Sequence, residues 1–162
     1  IINAYKKFSE KSKSSKKLYL VGTGQETYVN KLKNYVDKLN VNKKIIFTGK
    51  KDYISKFDFI NRSKFLIFFS KTENFGNVIL ESLVCKTPVI VGNNLPWIDI
   101  KKFKAGYFIK NNVNTLAKFL IKAENLNSKD YIKIQKNCKI LINRFYIEKK
   151  IKYIFKIYNK YI

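Results

Sequence analysis

Two glutamates, Glu73 and Glu81, stand eight positions apart around a short run that contains Phe75, Gly76 and Asn77. The run follows an apolar segment that is typical of a buried strand, and it leads into a predicted helix. Free backbone N–H groups at the start of such a helix form a positive end that can hold a phosphate. Gly76 lets an anion approach that end closely. The run is therefore a candidate binding site.

The surrounding stretch, residues 72–100, departs from the composition of the rest of the chain. About one residue in five is a lysine overall, yet this stretch contains only Lys86. It also holds Asp99 and the single tryptophan, Trp97. The lysine-rich composition of the rest of the sequence is therefore absent from this stretch, which favours a functional role for it.

Each glutamate also has an ordinary interpretation. Glu73 could be an acid that only complements the dipole of the helix that follows. Glu81 shares a helix face with Asn77 and has no lysine on its own predicted helix, but it could pair with a lysine from another element. The two acids together, on a helix after a buried strand, favour a binding site over these alternatives.

The composition excludes several kinds of chemistry. The chain has no histidine, which excludes a Ser-His-Asp triad, a Cys-His dyad and a metal held by histidine. Its two cysteines, Cys85 and Cys138, are too few for a thiolate metal cluster. Gly22-Thr23-Gly24 has Thr27 where a dinucleotide-binding motif has its third glycine, so NAD and FAD are not predicted. We expect no metal bound by side chains and no cofactor.

Short apolar segments alternate with helical patterns along most of the chain, and from Val113 onward the pattern is helical. This order predicts an α/β fold, a Rossmann-like parallel sheet with helices on both faces and a helical C-terminal tail, in one domain over residues 1–162. Ligands in such folds bind at the carboxyl ends of the strands. The site is therefore expected in the loops after Val21, Phe47, Phe69 and Val91. The predicted strands are Leu18–Val21, Ile45–Phe47, Phe65–Phe69, Val89–Val91 and Tyr107–Ile109.

The formal net charge is +23, from 34 basic and 11 acidic residues. Arg62 and Arg144 are the only arginines, so lysine supplies the excess, as biased coding composition would. Sequence-specific nucleic-acid recognition relies on arginine and is not expected. The segment from Tyr146 to Ile162 has the pattern of a basic amphipathic helix, which could lie on an anionic membrane, pack on its own domain or cross to another domain.

Several motifs together resemble one known family. The Glu-x7-Glu segment from Glu73 to Glu81 contains Phe75-Gly76 and is followed by Thr87-Pro88-Val89-Ile90. It comes after three shorter matches in the same order, which are Leu18 to Gly24, Ile46 to Gly49 and Phe68 to Ser70. This series resembles the retaining nucleotide-sugar glycosyltransferases of glycosyltransferase family 4, whose GT-B fold has two Rossmann-like domains.

The resemblance implies roles for particular residues. Glu81 would accept hydrogen bonds from the ribose hydroxyls of the donor, and Glu73 would lie by the donor sugar and the diphosphate. The amides matching Phe75, Gly76, Asn77 and Val78 would hold the sugar or the distal phosphate. The loop of Gly49 and Lys50 would meet the base, and the loop of Gly22 and Gly24 would border the cleft.

The resemblance also implies partners and a setting. The donor would be a UDP- or GDP-sugar, and the acceptor a glycan or a lipid-linked molecule. The chain would be a donor-binding fragment that lacks its first strand and an N-terminal acceptor domain. The Arg/Lys pair for the diphosphate would lie on a segment just upstream of Ile1. We expect a bacterial, cytoplasmic protein, with peripheral contact at the inner face of the plasma membrane as a further expectation.

Some positions depart from the family pattern. Lys86 and Asn74 replace glycines that relatives usually carry, and Asp99 stands where many relatives have a glutamate. The alternative function, from another class, is a non-catalytic basic module that docks on anionic membrane or nucleic acid. Such a module would bind in a salt-dependent way that ignores Glu73 and Glu81.

Overall fold

Strands and helices alternate along the chain, as the sequence predicts. The computed structural model describes residues 1–12, 14–71, 73 and 75–145. The helices are α1 (Ile2–Lys11), α2 (Glu26–Lys38), α3 (Tyr53–Arg62), α4 (Asn77–Val84), α5 (Asp99–Phe103), α6 (Val113–Glu124) and α7 (Ser128–Ile142). The strands are β1 (Leu18–Val21), β2 (Ile45–Gly49), β3 (Leu66–Phe68), β4 (Val89–Gly92) and β5 (Gly106–Ile109). The tail from Tyr146 to Ile162 lies outside the described residues.

The strands form two parallel sheets. β1 pairs with β2, with Leu18 opposite Ile45, and β4 pairs with both β3 and β5. All five strands of the described residues therefore end at the same edge of the fold, as expected when helices provide the crossovers.

Two helices lie across the space between β1 and β3. On one face, α3 contacts both sheets, because the ring of Phe59 lies 5.7 Å from that of Tyr19 in β1 and the carbonyl of Ile60 accepts a 2.9 Å hydrogen bond from Thr87, just before β4. On the other face, α1 lies between α2 and α6. Its Asn3 accepts a hydrogen bond from Tyr35, and its Lys7 donates one to Asn114. The strand order is thus β2-β1, an interruption, then β3-β4-β5.

Apolar side chains form one core cluster on each face of the three-stranded sheet. Ile67 and Ile90 point to the cluster that contains α1 and α6, whereas Leu66 and Val91 point to the cluster that contains α4, α5 and α7. This alternation is what a parallel sheet covered on both faces requires.

The predicted strand Phe65–Phe69 is shorter and less covered than its composition indicates. Only its central part forms a strand, β3, which is half-buried at every position, whereas all four residues of β4 are buried. In β1 the side chains of Tyr19 and Val21 are exposed as well. β1 and β3 each lack a strand on the side that faces the interruption, within the part of the chain described here, which explains the exposure.

The helices match their predicted positions with two differences. α4 begins at Asn77 and not near Asn74, because Gly76 takes a left-handed conformation (φ 75°) that the helix cannot continue through. In α2, the helical spacing of Tyr28, Tyr35 and Val36 predicts that they share an apolar face, but only Val36 is buried, and Tyr28 and Tyr35 are exposed. In the described ranges, none of the helices has the length and apolar character needed to cross a membrane.

Candidate functional site

The loops that carry the predicted site residues meet at the carboxyl edge of the two sheets. Gly22 and Gly24 follow β1, Gly49 ends β2 and precedes Lys50, and Glu73 follows β3. All five are exposed. Because parallel strands end at a common edge, the fold alone brings these loops to one side of the molecule.

The two glycine loops contact each other directly. The N–H of Gly22 donates a 3.0 Å hydrogen bond to the carbonyl of Gly49. Both residues have positive φ, 135° and 68°, and a methyl group added at either would meet nothing within 4 Å. The backbone of both loops is therefore open to an approaching ligand.

Gly76 sets the geometry at the start of α4. Its φ of 75° and ψ of 62° place it in the left-handed region, and as the N-cap residue it has no side chain that could cap the helix. The sequence predicted Phe75, Gly76 and Asn77 as the leading amides of the helix, but Phe75 belongs to the loop. The helix-end amides are those of Asn77 and Val78, since the N–H of Ile79 already bonds to the carbonyl of Gly76 at 2.8 Å. These two N–H groups give α4 a positive end at the carboxyl edge.

Trp97 anchors the loop before α4. Its indole N–H donates a 2.5 Å hydrogen bond to the carbonyl of Phe75, and its ring lies 5.3 Å from that of Phe75. Trp97 is only 2% exposed, whereas Phe75 is 42% exposed. Asn94, in the loop after β4, donates a further 2.7 Å hydrogen bond to the carbonyl of Ser70. The loop after β4 thus fixes the loop that carries Glu73.

Glu81 forms an ion pair with a lysine from another helix. Its Oε1 lies 2.6 Å from the Nζ of Lys56 in α3, and the side chains are 22% and 30% exposed. The sequence left open whether Glu81 binds a ligand or pairs with a lysine from another element, and the structure shows the pair. The ion pair does not exclude a ribose-binding role for Glu81, because a carboxylate has more acceptor sites than one ammonium uses. That role stays a prediction.

Buried hydrogen bonds hold α4 against α3 and so fix the position of this ion pair. The hydroxyl of Ser82 donates to the carbonyl of Thr87 at 2.8 Å, and the hydroxyl of Thr87 donates to the carbonyl of Ile60 at 2.9 Å. Both hydroxyl residues are buried. At the other end of α3, Asp52 is the type of residue that commonly caps a helix start, and its carboxyl accepts hydrogen bonds from the side chain and backbone of Ser55. These hydrogen bonds lower the pKa of the Asp52 carboxyl.

Cys85 and Lys86 lie at the end of α4. Burial, together with the nearby charge of Glu81, raises the pKa of the Cys85 thiol. Lys86 has a φ of 57°, in the left-handed region that favours the glycine which the family pattern implies there. Asn74, the other departure, lies outside the described residues. Asp99 forms ion pairs with Lys102 at 3.6 Å and Arg144 at 3.9 Å.

The described contacts bring the predicted residues together in two groups. Gly22 and Gly49 form one, and Glu73 and Gly76 form the other, with Glu73 Cγ 3.4 Å from where a Cβ on Gly76 would lie. The ion pair of Lys56 and Glu81 links the helix after β2 to the helix after β3. Sequence reasoning missed Lys56 and Trp97 as site residues, although a lysine set between two aromatic residues and a lone tryptophan near the acids were both visible.

Comparison with known proteins identifies the family. A model described as glycosyl transferases group 1 matches residues 1–141 of the chain. The chain belongs to this family. The Glu73–Glu81 segment lies inside the matched region.

Three relatives show how much of a longer protein the chain resembles. The alpha-1,3/1,6-mannosyltransferase ALG2 of Yarrowia lipolytica is 31% identical over 83 residues, which are 51% of this chain and 18% of that protein. A glycosyltransferase structure from Rickettsia africae superposes with a TM-score of 0.82 at 23% identity, over 98% of this chain and 42% of that one. The Anabaena protein HepE, solved with UDP, gives a TM-score of 0.79 at 19% identity over 96% of this chain and 43% of that one.

The chain therefore spans less than half the length of each of these relatives. The structural neighbours confirm the predicted fold, an α/β arrangement of parallel strands and helices of the GT-B type with a helical C-terminal end.

Proposed function

We propose that the chain is the donor-binding half of a retaining glycosyltransferase of family 4, which transfers a sugar from a nucleotide-diphosphate sugar to a glycan or a lipid-linked acceptor. Membership of the glycosyl transferases group 1 family supports the reaction class. The presence of UDP in the HepE structure supports a nucleotide-sugar donor. The observation that carries the proposal is that α4 begins at the carboxyl edge of the sheets and also carries the carboxylate of Glu81.

In this proposal the start of α4 receives the phosphate groups. The N–H groups of Asn77 and Val78 are the first of the helix, and Asn77 is exposed. Negative charge grows on the diphosphate as it leaves, so a positive helix end stabilises the transition state more than the ground state. Glu73, in the loop just before this end, is then placed beside the donor sugar.

The carboxylate of Glu81 binds the ribose. Two neighbouring hydroxyl groups can both donate to one carboxylate, and hydrogen bonds to a charged acceptor are stronger than neutral ones. The exposed loops of Gly22, Gly24, Gly49 and Lys50 border the nucleoside. The residues described suit a donor held without a metal, by backbone amides and carboxylates.

A further segment of the same polypeptide completes the fold in this proposal. The interruption between β1 and β3 is flanked by α1 on one face and α3 on the other, and both strands are apolar yet partly exposed. An apolar parallel strand placed there would pair with both edges. A preceding acceptor domain, with the cations that neutralise the diphosphate, belongs to the same proposal. The chain alone is then expected to bind donor but hardly to turn it over.

Titration calorimetry with UDP and GDP tests the donor role. We expect the chain to bind one of them, and Glu81→Gln to weaken that binding by about tenfold, because a hydrogen bond to a charged group is lost. Glu10→Gln is a matched control, since Glu10 also pairs with a lysine, Lys6 at 3.2 Å, but on the solvent-facing side of α1.

Equal binding by the wild type and Glu81→Gln would overturn the role of Glu81. Failure of the chain to bind either nucleotide would overturn the donor-binding proposal. Salt-dependent binding to anionic vesicles or DNA that neither substitution changes would favour the docking module instead.

A further inference from the structure

Lys56 is held more firmly than a surface lysine. Its Nζ lies 2.6 Å from Oε1 of Glu81, 5.4 Å from the ring centre of Tyr53 and 5.6 Å from that of Phe57. Its side chain is 30% exposed. Tyr53 and Phe57 lie 4.9 Å apart on the same helix, so the two rings and the carboxylate together define where the ammonium can be.

The ion pair with Lys56 engages one carboxylate oxygen of Glu81 and does not engage the other. The contact is with Oε1, and among the described residues no other cation lies within ion-pair distance of Glu81. A carboxylate has about four acceptor positions. A single ammonium at Oε1 therefore orients the group and leaves acceptor positions for other donors.

The pair also connects the two sheets. Lys56 lies in the first turns of α3, which follows the loop of Gly49 and Lys50, whereas Glu81 lies in α4 after β3. A rotation of the Glu81 side chain away from α3 would break the 2.6 Å contact. The orientation of the carboxylate is thus set by a residue from the half of the fold that carries the glycine loops.

We propose that Lys56 is a positioning residue for the ribose of the donor nucleotide, which acts by orienting the Glu81 carboxylate. This inference rests on the proposed function, because it requires that Glu81 binds ribose. Lys56 itself does not contact the hydroxyl groups. It holds the Glu81 carboxylate in one orientation, so that less conformational freedom is lost when the nucleotide binds.

The test compares nucleotides that differ only in the ribose hydroxyl groups. Dissociation constants for UDP and 2′-deoxy-UDP are measured for the wild type, Lys56→Met and Lys56→Arg. We expect the wild type to prefer UDP by about tenfold. Lys56→Met keeps the aliphatic stem but should lower this preference to about twofold, mainly by weakening UDP, and Lys56→Arg should restore most of it.

Lys122→Met is the matched control. The Nζ of Lys122 lies 5.4 Å from the ring centre of Tyr107 and 5.7 Å from that of Phe119, so this variant also loses two lysine–aromatic contacts. No carboxylate pairs with Lys122 in the described part of the chain. Its preference for UDP should equal that of the wild type.

The outcomes separate this inference from the proposed function. If the wild type prefers UDP and Lys56→Met keeps that preference while its melting temperature falls, Lys56 is only structural and the inference is wrong. If the wild type binds both nucleotides equally, or neither, the ribose role of Glu81 fails first. A loss of preference in Lys122→Met as well would overturn the positioning role, because loss of lysine–aromatic contacts would then be sufficient.

Discussion

The fold itself requires glycine at position 76. The sequence indicated only that a glycine there would let an anion approach. The structure adds that a Cβ would lie 3.2 Å from Ile79 Cδ1 and 3.4 Å from both Glu73 Cγ and Phe68 Cε1, at a φ of 75°. Both the left-handed conformation and the close neighbours depend on how the chain folds around Gly76, and the spacing of residues in the sequence does not show either.

Gly76→Ala should therefore destabilise the fold even without ligand. A left-handed alanine costs about 1–2 kcal/mol, and the contacts with Ile79 add to this. Urea unfolding followed by circular dichroism measures the change. Gly24→Ala is the control, because its Cβ would meet Val29 at an ordinary 3.6 Å. Equal stability of the two variants would contradict this account of Gly76.

The pairing of Lys56 with Glu81 could not be predicted from the sequence. The cap at Asp52 was predictable because cap and partner lie three positions apart, at Asp52 and Ser55. The partner of Glu81 lies 25 positions away on another helix. Such a pair depends on how α3 packs on α4, which the sequence pattern does not specify.

At the scale of elements, the half-buried state of β3 is the main departure from prediction. The order of strands and helices followed from short apolar segments and the turns between them. The half-buried state of β3 did not, because coverage depends on a neighbouring strand and five apolar residues in a row look the same with or without one.

Amide hydrogen exchange should detect the open edge of β1. The N–H groups of Leu18 and Gly22 bond to carbonyls of Lys44 and Gly49, and alternation along a strand directs the N–H of Tyr19 to the interruption. We expect Tyr19 to exchange at least about tenfold faster than Leu18 in this chain. In a longer protein that carries the proposed strand, Tyr19 should become protected. Equal exchange of Tyr19 and Leu18 in this chain would contradict an open edge.

At the scale of the whole molecule, burial of ionisable groups determines how stability responds to alkaline pH. Burial raises the pKa of Cys138 to about 12, from an ordinary value of 9.0. Burial also raises the pKa values of Tyr5, Tyr107 and Tyr131. Above pH 9 the unfolded chain releases protons that the folded chain retains, so the stability present below that pH is progressively lost.

Cys138→Ala should isolate the contribution of one thiol. Ionisation of Cys138 in the unfolded state should cost the wild type about 1.4 kcal/mol of unfolding free energy between neutral pH and pH 10. The variant is less stable at neutral pH, because Cys138 is fully buried and donates to the carbonyl of Ala105 at 3.3 Å. The difference between the two proteins in urea unfolding should shrink as pH rises. A constant difference would show that Cys138 ionises normally in the fold.

The site residues are distributed over both sheets. The glycine loops belong to β1 and β2, whereas Glu73, the start of α4 and Glu81 belong to the side of β3. In the described ranges no strand ladder joins these halves, and packing by α1 and α3 holds them together. A nucleotide that contacts both halves would hold them together, so its binding free energy would also stabilise the arrangement of the two sheets.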